Sequence, residues 1–342
     1  MLKNERMIQT LDKAEAIRRM NRWGSEGEPF LFIIDFEMKR PIVLKLSEAP
    51  AESLLYDING RRNFRQEPLF KKSAFFEKYP MPRAAYHRAF QLVMDNLKAG
   101  NSYLLNLAFP TPISTNLTLR EAFFASRARY RLWLDNQFVC FSPECFVTID
   151  ENGRIASFPM KGTIDASLSE AEQQLMDNVK ETAEHATIVD LIRNDLSMAA
   201  EHVAVKRYRY IERIETHQGG LLQSSSEIIG QLAGDYQGRI GDIIFQLLPA
   251  GSISGAPKRK TVEIIQVAEG QERGYYTGIC GIFDGQQLDS GVMIRFIEQT
   301  AEGMVFKSGG GITARSIEEE EYAEMLRKAY LPFAFSPELA VR

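Results

Sequence analysis

Chemistry in this chain is written in a lysine boxed by proline and glycine, in glutamates on helix faces, and in runs of glycine. Lys161 stands in Phe158-Pro159-Met160-Lys161-Gly162-Thr163. Pro159 fixes its own φ, and Gly162 lets the backbone pass close to a neighbour. The alternating residues 154–158 read as a strand, so the ammonium is expected in a tight turn at a strand's end. Most lysines are solvated surface charges. One buried in such a turn has its pKa lowered by desolvation, which frees an amine to act as a nucleophile.

The acids come next. Ser316-Ile317-Glu318-Glu319 matches a capping box, with Ser316 as N-cap. Tyr322, Met325, Leu326, Ala329 and Tyr330 follow at helical spacing as a buried stripe. Glu321, Glu324 and Lys328 share the neighbouring stripe. Glu184 lies beside Thr187, Ile188 and Leu191 on its own helix, or pairs with Lys180 at i−4. Acids in a first helical turn are explained by the macrodipole alone; three carboxylates from two helices would equally suit Mg2+. Both readings stay open on spacing.

Gly251-Ser252-Ile253-Ser254-Gly255-Ala256-Pro257-Lys258 joins two helices. It has three residues between its glycines and its lysine comes late, so it is no phosphate loop. Gly309-Gly310-Gly311 reads either as a tight strand-to-helix turn or as a set of amides offered to an anion such as a carboxylate. Gly278-Ile279-Cys280-Gly281 lacks the spacing of a nucleophile elbow, and Cys280 is expected to be a buried small hydrophobe. His87, His185, His202 and His217 show no metal-ligand spacing.

The elements that position these residues alternate between helices and short strands. Helices are expected over residues 8–21, 86–97, 119–128 and 172–196. Strands are expected over 30–36, 103–109, 276–283, 292–299 and 304–308, with a hairpin of 137–141 and 145–149 around Ser142-Pro143-Glu144. A polar connection covers 59–72, and Tyr79-Pro80-Met81-Pro82 marks a boundary. That divides the chain into an N-terminal region 1–83, a catalytic core 84–332 and a tail 333–342. The mix predicts an α+β fold, with antiparallel sheets and helices packed on them.

Composition narrows the class. Lys and Arg number 41 against 45 Asp and Glu, a net charge of −4, which leaves no basic footprint for nucleic acid. The most apolar run, Phe30-Leu31-Phe32-Ile33-Ile34, stops at Asp35, far short of a membrane span. No secretory signal is expected from the charged opening. Cys140, Cys145 and Cys280, with no CxxC spacing, fit reduced thiols in the cytoplasm.

In order, several segments resemble those of the chorismate-utilising enzymes, the family of anthranilate, aminodeoxychorismate, isochorismate and salicylate synthases. They are Ala99-Gly100-Asn101-Ser102-Tyr103, Ser142-Pro143-Glu144, the Lys161 run, Glu184 with Ile188-Val189-Asp190-Leu191-Ile192-Arg193-Asn194-Asp195, the loop from Gly251 to Lys258, the Arg295 strand, Gly309-Gly310-Gly311-Ile312 and Glu321-Tyr322-Ala323-Glu324. The resemblance implies the anthranilate synthase component I-like fold and chorismate as substrate. Lysine before the Gly-Thr is similar to component I of aminodeoxychorismate synthase; anthranilate and isochorismate synthases typically carry alanine there. On that branch Lys161 would attack C2 of chorismate and Glu144 would protonate the departing C4 hydroxyl. Mg2+ held by Glu184, Glu321 and Glu324 would take the ring carboxylate. Arg295 and the amides of Gly309, Gly310 and Gly311 would take the enolpyruvyl carboxylate. Gly162, Thr163, Gln223, Ser254 and Lys328 complete the implied substrate-binding set. A glutamine amidotransferase subunit would supply ammonia, since no cysteine or histidine here has the glutaminase arrangement, and the product would serve folate biosynthesis.

The chain departs from the family pattern at Gln223, where histidine is usual, and at Ile282, where tyrosine is usual. Its N-terminal region lacks the recognisable tryptophan-binding motif. Another chorismate enzyme and a non-catalytic chorismate-binding paralogue remain the alternatives.

Overall fold

Alternation along Phe30-Leu31-Phe32-Ile33-Ile34 shows how the layers are built. Phe30, Phe32 and Ile34 pack into one cluster with Met20, Ile240 and Ile244, whereas Leu31 and Ile33 pack into another with Tyr130, Leu132 and Cys140. Successive side chains of a strand point to opposite faces, so this strand lies between a helical layer and a second sheet.

The computed structural model describes residues 8–65, 74–216 and 219–331. Helix α1 (Lys13–Ser25) leads to β1 (Phe30–Ile34), β2 (Ile42–Lys45), β3 (Leu54–Ile58), β4 (Arg61–Arg62) and β5 (Phe76–Lys78). After α2 (Arg83–Lys98) come β6 (Leu104–Thr115), α3 (Leu119–Ala125), β7 (Tyr130–Leu134), β8 (Phe138–Ser142), β9 (Cys145–Ile149), β10 (Arg154–Ser157) and β11 (Met160–Asp165). Then follow α4 (Ala171–Asp177), α5 (Val179–Ser197), β12 (Glu201–Thr216), β13 (Gly219–Gln231), α6 (Ile240–Leu247), β14 (Gly255–Ala256) and α7 (Lys258–Glu269). The described chain closes with β15 (Ile279–Phe283), β16 (Leu288–Val292), β17 (Phe296–Thr300), β18 (Gly303–Thr313) and α8 (Glu318–Lys328).

The strands form two antiparallel sheets. One runs β11-β13-β10-β9-β16-β15-β1-β2, with β12 also on β13; the other runs β14-β6-β18-β17-β8-β7-β3-β4, with β5 also on β6. A shared core that includes Tyr56, Tyr130, Phe138, Cys145, Cys280 and Phe296 lies between them. The fold is α+β, with helices on the outer faces.

Long-range pairing overrules several local expectations. The segments around Ser142-Pro143-Glu144 are not a hairpin: β8 pairs with β17 and β7 in one sheet, β9 with β16 and β10 in the other. The expected strand 292–299 likewise breaks at Met293-Ile294-Arg295, leaving β16 in one sheet and β17 in the other. The expected helix 172–196 splits at Asn178, whose side chain accepts the Glu181 N–H and caps α5. Helix α1 starts late because Asp12 caps it through the Glu15 N–H. It runs on through Gly24, where a Cβ would stand 2.1 Å from the Gln237 carbonyl oxygen.

Tyr79-Pro80-Met81-Pro82 separates β5 from α2. Strands β1 and β2 join one sheet, and β3, β4 and β5 join the other. The tail 333–342 and His217 lie outside the described residues. Among the described residues no helix is long and apolar enough to cross a membrane.

Candidate active site

The places where the chain changes sheets lie side by side. The Phe141 N–H donates to the Arg295 carbonyl at 3.0 Å, and the Val292 N–H donates to the Glu144 carbonyl at 3.0 Å. Two crossings are thus stitched together by backbone, and each carries a charged residue into the gap between the sheets. Arg295 adopts a left-handed backbone, φ 52°, a conformation costly to a residue with a Cβ and common at functional positions. Its guanidinium lies 5.4 Å from the Tyr330 ring centroid, and no carboxylate of the described residues pairs with it.

Glu144 is half-buried and opens on the cleft. Its N–H donates to Ser142 Oγ at 3.1 Å, and its Oε1 accepts the Ser252 hydroxyl at 2.6 Å. Burial pushes its carboxyl above the ordinary range, against the pull of Ser252, Lys328, Arg295 and Lys161. A raised pKa favours the protonated carboxyl that a general acid needs.

Lys161 does not lie in a turn. β10 ends at Ser157, and after Phe158-Pro159 the chain resumes as β11 along the same side of β13, with the Pro159 carbonyl accepting the Ser226 N–H between them. Register shifts between Met160 and Thr163, and Gly162 sits at φ +78° inside this irregularity. Lys161 Nζ stands 2.8 Å from Glu184 Oε2. Burial works to lower its pKa, but Glu184, with Glu324 and Glu181 behind it, outweighs that and holds it above the ordinary lysine value. The amine expected to be freed by desolvation is therefore charged in this arrangement. Thr163 pairs opposite Gln223 on β13, and both line the cleft. Glu184 does not pair with Lys180, which reaches Glu320 instead at 3.4 Å.

The glycine run is no strand-to-helix turn. Gly309, Gly310 and Gly311 belong to β18, opposite Ala108, Leu107 and Asn106. Ala108 and Asn106 turn their own N–H groups away from β18, to Glu269 and Ser254. In an antiparallel ladder the facing residues then turn away too, so Gly309 and Gly311 offer their backbone polar groups on the open side. Lys328 Nζ takes the Gly309 carbonyl at 2.9 Å and pairs with Glu324 Oε1 at 2.6 Å. The predicted capping box is absent. Ile317 is the N-cap of α8, and the Ser316 hydroxyl donates to Glu321 Oε1 at 2.8 Å instead. Burial raises the buried Glu321 carboxyl, whereas Glu324, though burial opposes its charge, is lowered by Lys328.

One cleft of about 1300 Å3 gathers Glu144, Lys161, Gly162, Thr163, Glu184, Gln223, Arg295, Gly309, Gly311, Glu321, Glu324 and Lys328. Gly310 backs it: a Cβ there would stand 3.3 Å from Glu321 Oε2 and 3.9 Å from Glu324 Oε1. Ser254 is not brought in. It is fully buried, and its hydroxyl donates to the Ala250 carbonyl at 2.8 Å. Ile282 is buried in the core between the sheets rather than at the cleft, so its difference from tyrosine removes no group from the site. Among the described residues no three of His, Cys, Asp and Glu stand together as a ready metal site. Glu184, Glu321 and Glu324 share the cleft but each is engaged by Lys161, Ser316 or Lys328.

Spacing alone did not reveal Ser252, Tyr276 or Lys307, which also line the cleft. Nor did it reveal the task of Lys258, which clasps Asp195 Oδ1 at 3.0 Å while Asp195 Oδ2 accepts the Gly251 N–H at 3.0 Å. That clasp fixes the glycine loop on α5. The late lysine that excluded a phosphate loop was the available signal.

Comparison with known proteins bears on the family and the fold. Residues 56–333 match the chorismate binding enzyme family. An uncharacterised PabA-like protein of Haemophilus influenzae is 55% identical over 92% of this chain and 96% of its own length. Aminodeoxychorismate synthase component 1 of Bacillus subtilis is 29% identical over 73% of this chain; the match spans 55% of that protein. The solved structure of MenF, the menaquinone-specific isochorismate synthase of Escherichia coli, superposes with a TM-score of 0.70 at 16% identity, covering 94% of this chain and 82% of that one; it speaks for the fold alone. With the family model spanning most of the chain, this protein belongs to the chorismate-binding enzymes.

Proposed function

We propose that this chain is component I of aminodeoxychorismate synthase, forming 4-amino-4-deoxychorismate from chorismate and ammonia. The observation that carries the reading is Lys161, projecting into the same cleft as the half-buried Glu144, whose carboxyl is raised by burial, and as Arg295, with which no carboxylate of the described residues pairs. The likeness to the Bacillus subtilis protein over most of this chain supports it.

The Lys161 amine, once it has lost its proton and left Glu184, adds to C2 of chorismate. Both ring double bonds shift by one position, the C4–O bond breaks, and Glu144 gives its proton to the departing oxygen, releasing water. Ammonia then adds at C4, both double bonds shift back, the C2–N bond to Lys161 breaks to release the free amine, and the new C4 ammonium returns a proton to Glu144. Arg295 meets the enolpyruvyl carboxylate with its fork of donors, beside the outward amides of Gly309 and Gly311.

Glu184, Glu321 and Glu324 are the residues that would hold Mg2+. Their hard oxygen donors suit it, and Gly310, where a Cβ would crowd Glu321, leaves space beside them. The ion would neutralise the ring carboxylate. In the cleft, Lys161 and Lys328 occupy the carboxylates that such an ion would claim.

Ammonia would come from a separate glutamine amidotransferase subunit, because all three cysteines are buried strand residues. Ammonium salt at raised pH should support turnover by the isolated chain, and glutamine should not; aminodeoxychorismate made from glutamine by the pure chain would refute that division. The test of the reaction itself is Lys161→Ala, which should abolish product while leaving the thermal unfolding profile unchanged. A variant that keeps most of its activity excludes covalent catalysis by this residue.

A further inference from the structure

We propose that Ser252 is a positioning residue for Glu144, fixing which oxygen of the carboxyl faces substrate; this rests on the role of Glu144 given above. The Ser252 hydroxyl donates to Glu144 Oε1 at 2.6 Å. No other side chain among the described residues hydrogen-bonds that carboxyl. With Oε1 occupied as an acceptor, the acidic proton resides on Oε2 and is the one available to the C4 oxygen. When that proton leaves, the same hydroxyl remains as a donor to the new carboxylate, so the contact strengthens as charge develops.

Ser252 can do this because its loop cannot shift. It belongs to the short helical turn Gly251–Ile253, between α6 and β14. The Gly251 N–H is held by Asp195 at 3.0 Å, and Asp195 by Lys258 at 3.0 Å. A Cβ on Gly251 would fall 1.8 Å from Leu191 Cδ2, so the turn lies flat on α5. Two residues later, Ser254 turns its hydroxyl back to the Ala250 carbonyl. The two serines thus divide the work: Ser254 closes the turn and Ser252 faces the acid.

The test compares Ser252→Ala, Ser252→Thr and Glu144→Gln in the chorismate and ammonium reaction across pH. Ser252→Ala should lower kcat about tenfold with little change in KM, the loss of one hydrogen bond made in the transition state. Losing a donor to the charged form raises the pKa of Glu144, so the alkaline fall in kcat should move to higher pH. Ser252→Thr, which keeps the hydroxyl, should return that limb to its original position. In the Glu144→Gln background, Ser252→Ala should add nothing. An inactive Glu144→Gln beside a Ser252→Ala with unchanged kcat and pH limb overturns the positioning role alone. A Glu144→Gln that keeps its rate overturns the general acid and this inference with it.

Discussion

The two walls of the cleft are built on different principles. Glu144 and Arg295 stand where strands pass from one sheet to the other, fixed by backbone hydrogen bonds from Phe141 and Val292. Lys161, Glu184, Glu324 and Lys328 stand on a bulged strand and two helices, held by side-chain ion pairs of 2.8 and 2.6 Å. The crossing wall is preorganised, as acid chemistry and carboxylate recognition require. The ion-pair wall is closed on itself, and under the proposed function it would exchange partners as an anionic substrate and a cation bind. Rigidity and exchange are thus separated within one site.

Substitutions should sort by wall. Glu144→Gln keeps the volume and removes the proton, and should lower kcat by about 10²–10⁴ without altering the Mg2+ requirement. An unchanged rate would remove Glu144 from the chemistry. Because burial raises its pKa, the wild-type rate should fall as pH rises through that value and the acid form is lost. The wild-type profile should therefore have an alkaline limb that Glu144→Gln lacks.

Arg295→Gly should raise KM for chorismate by about a hundredfold, the loss of a charged fork on a carboxylate. It should not lower the melting temperature, since glycine accepts φ 52° without strain. A clear drop in melting temperature would show that the guanidinium is a structural group.

On the other wall, Glu184→Ala, Glu321→Ala and Glu324→Ala should each raise the Mg2+ concentration for half-activity about tenfold or more. Full activity in excess chelator would leave these glutamates as pairing partners for lysines and nothing else.

The smallest effect concerns the thiols. Cys140 and Cys280 are fully buried, and burial pushes Cys145 up to about 12. The native protein should resist a thiol reagent at neutral pH and keep its activity, and all three thiols should react once it is unfolded. Rapid reaction of the native protein would contradict the close packing of the two sheets behind the crossing wall.

Much of the site was legible because its chemistry is local. A lysine between Pro159 and Gly162 and acids at helical spacing around Glu321 stand out in sequence, whereas Arg295 reads as an ordinary strand arginine and is singled out only by the family resemblance. What was hidden depended on contacts between distant segments. Ser142-Pro143-Glu144 reads the same as a hairpin turn or as a passage between sheets; the pairing of β8 with β17 in one sheet and of β9 with β16 in the other decides. The charge on Lys161 is set by Glu184 from another element, not by the proline and glycine beside it. Ser252 and Ser254 are equivalent as letters, and a tight turn sends one to the acid and the other to its own backbone. The long strands β12 and β13 escaped notice because β12 carries charge along much of its length, as a strand at a sheet margin can.

The central claim is that Lys161 and Glu144 direct chorismate to amination at C4. It is tested most directly by mass analysis of the products after the purified chain is incubated with chorismate, Mg2+ and ammonium salt. The account predicts 4-amino-4-deoxychorismate, absent from a parallel reaction with Lys161→Ala. Anthranilate or isochorismate as the product, or chorismate returned unchanged, would contradict it.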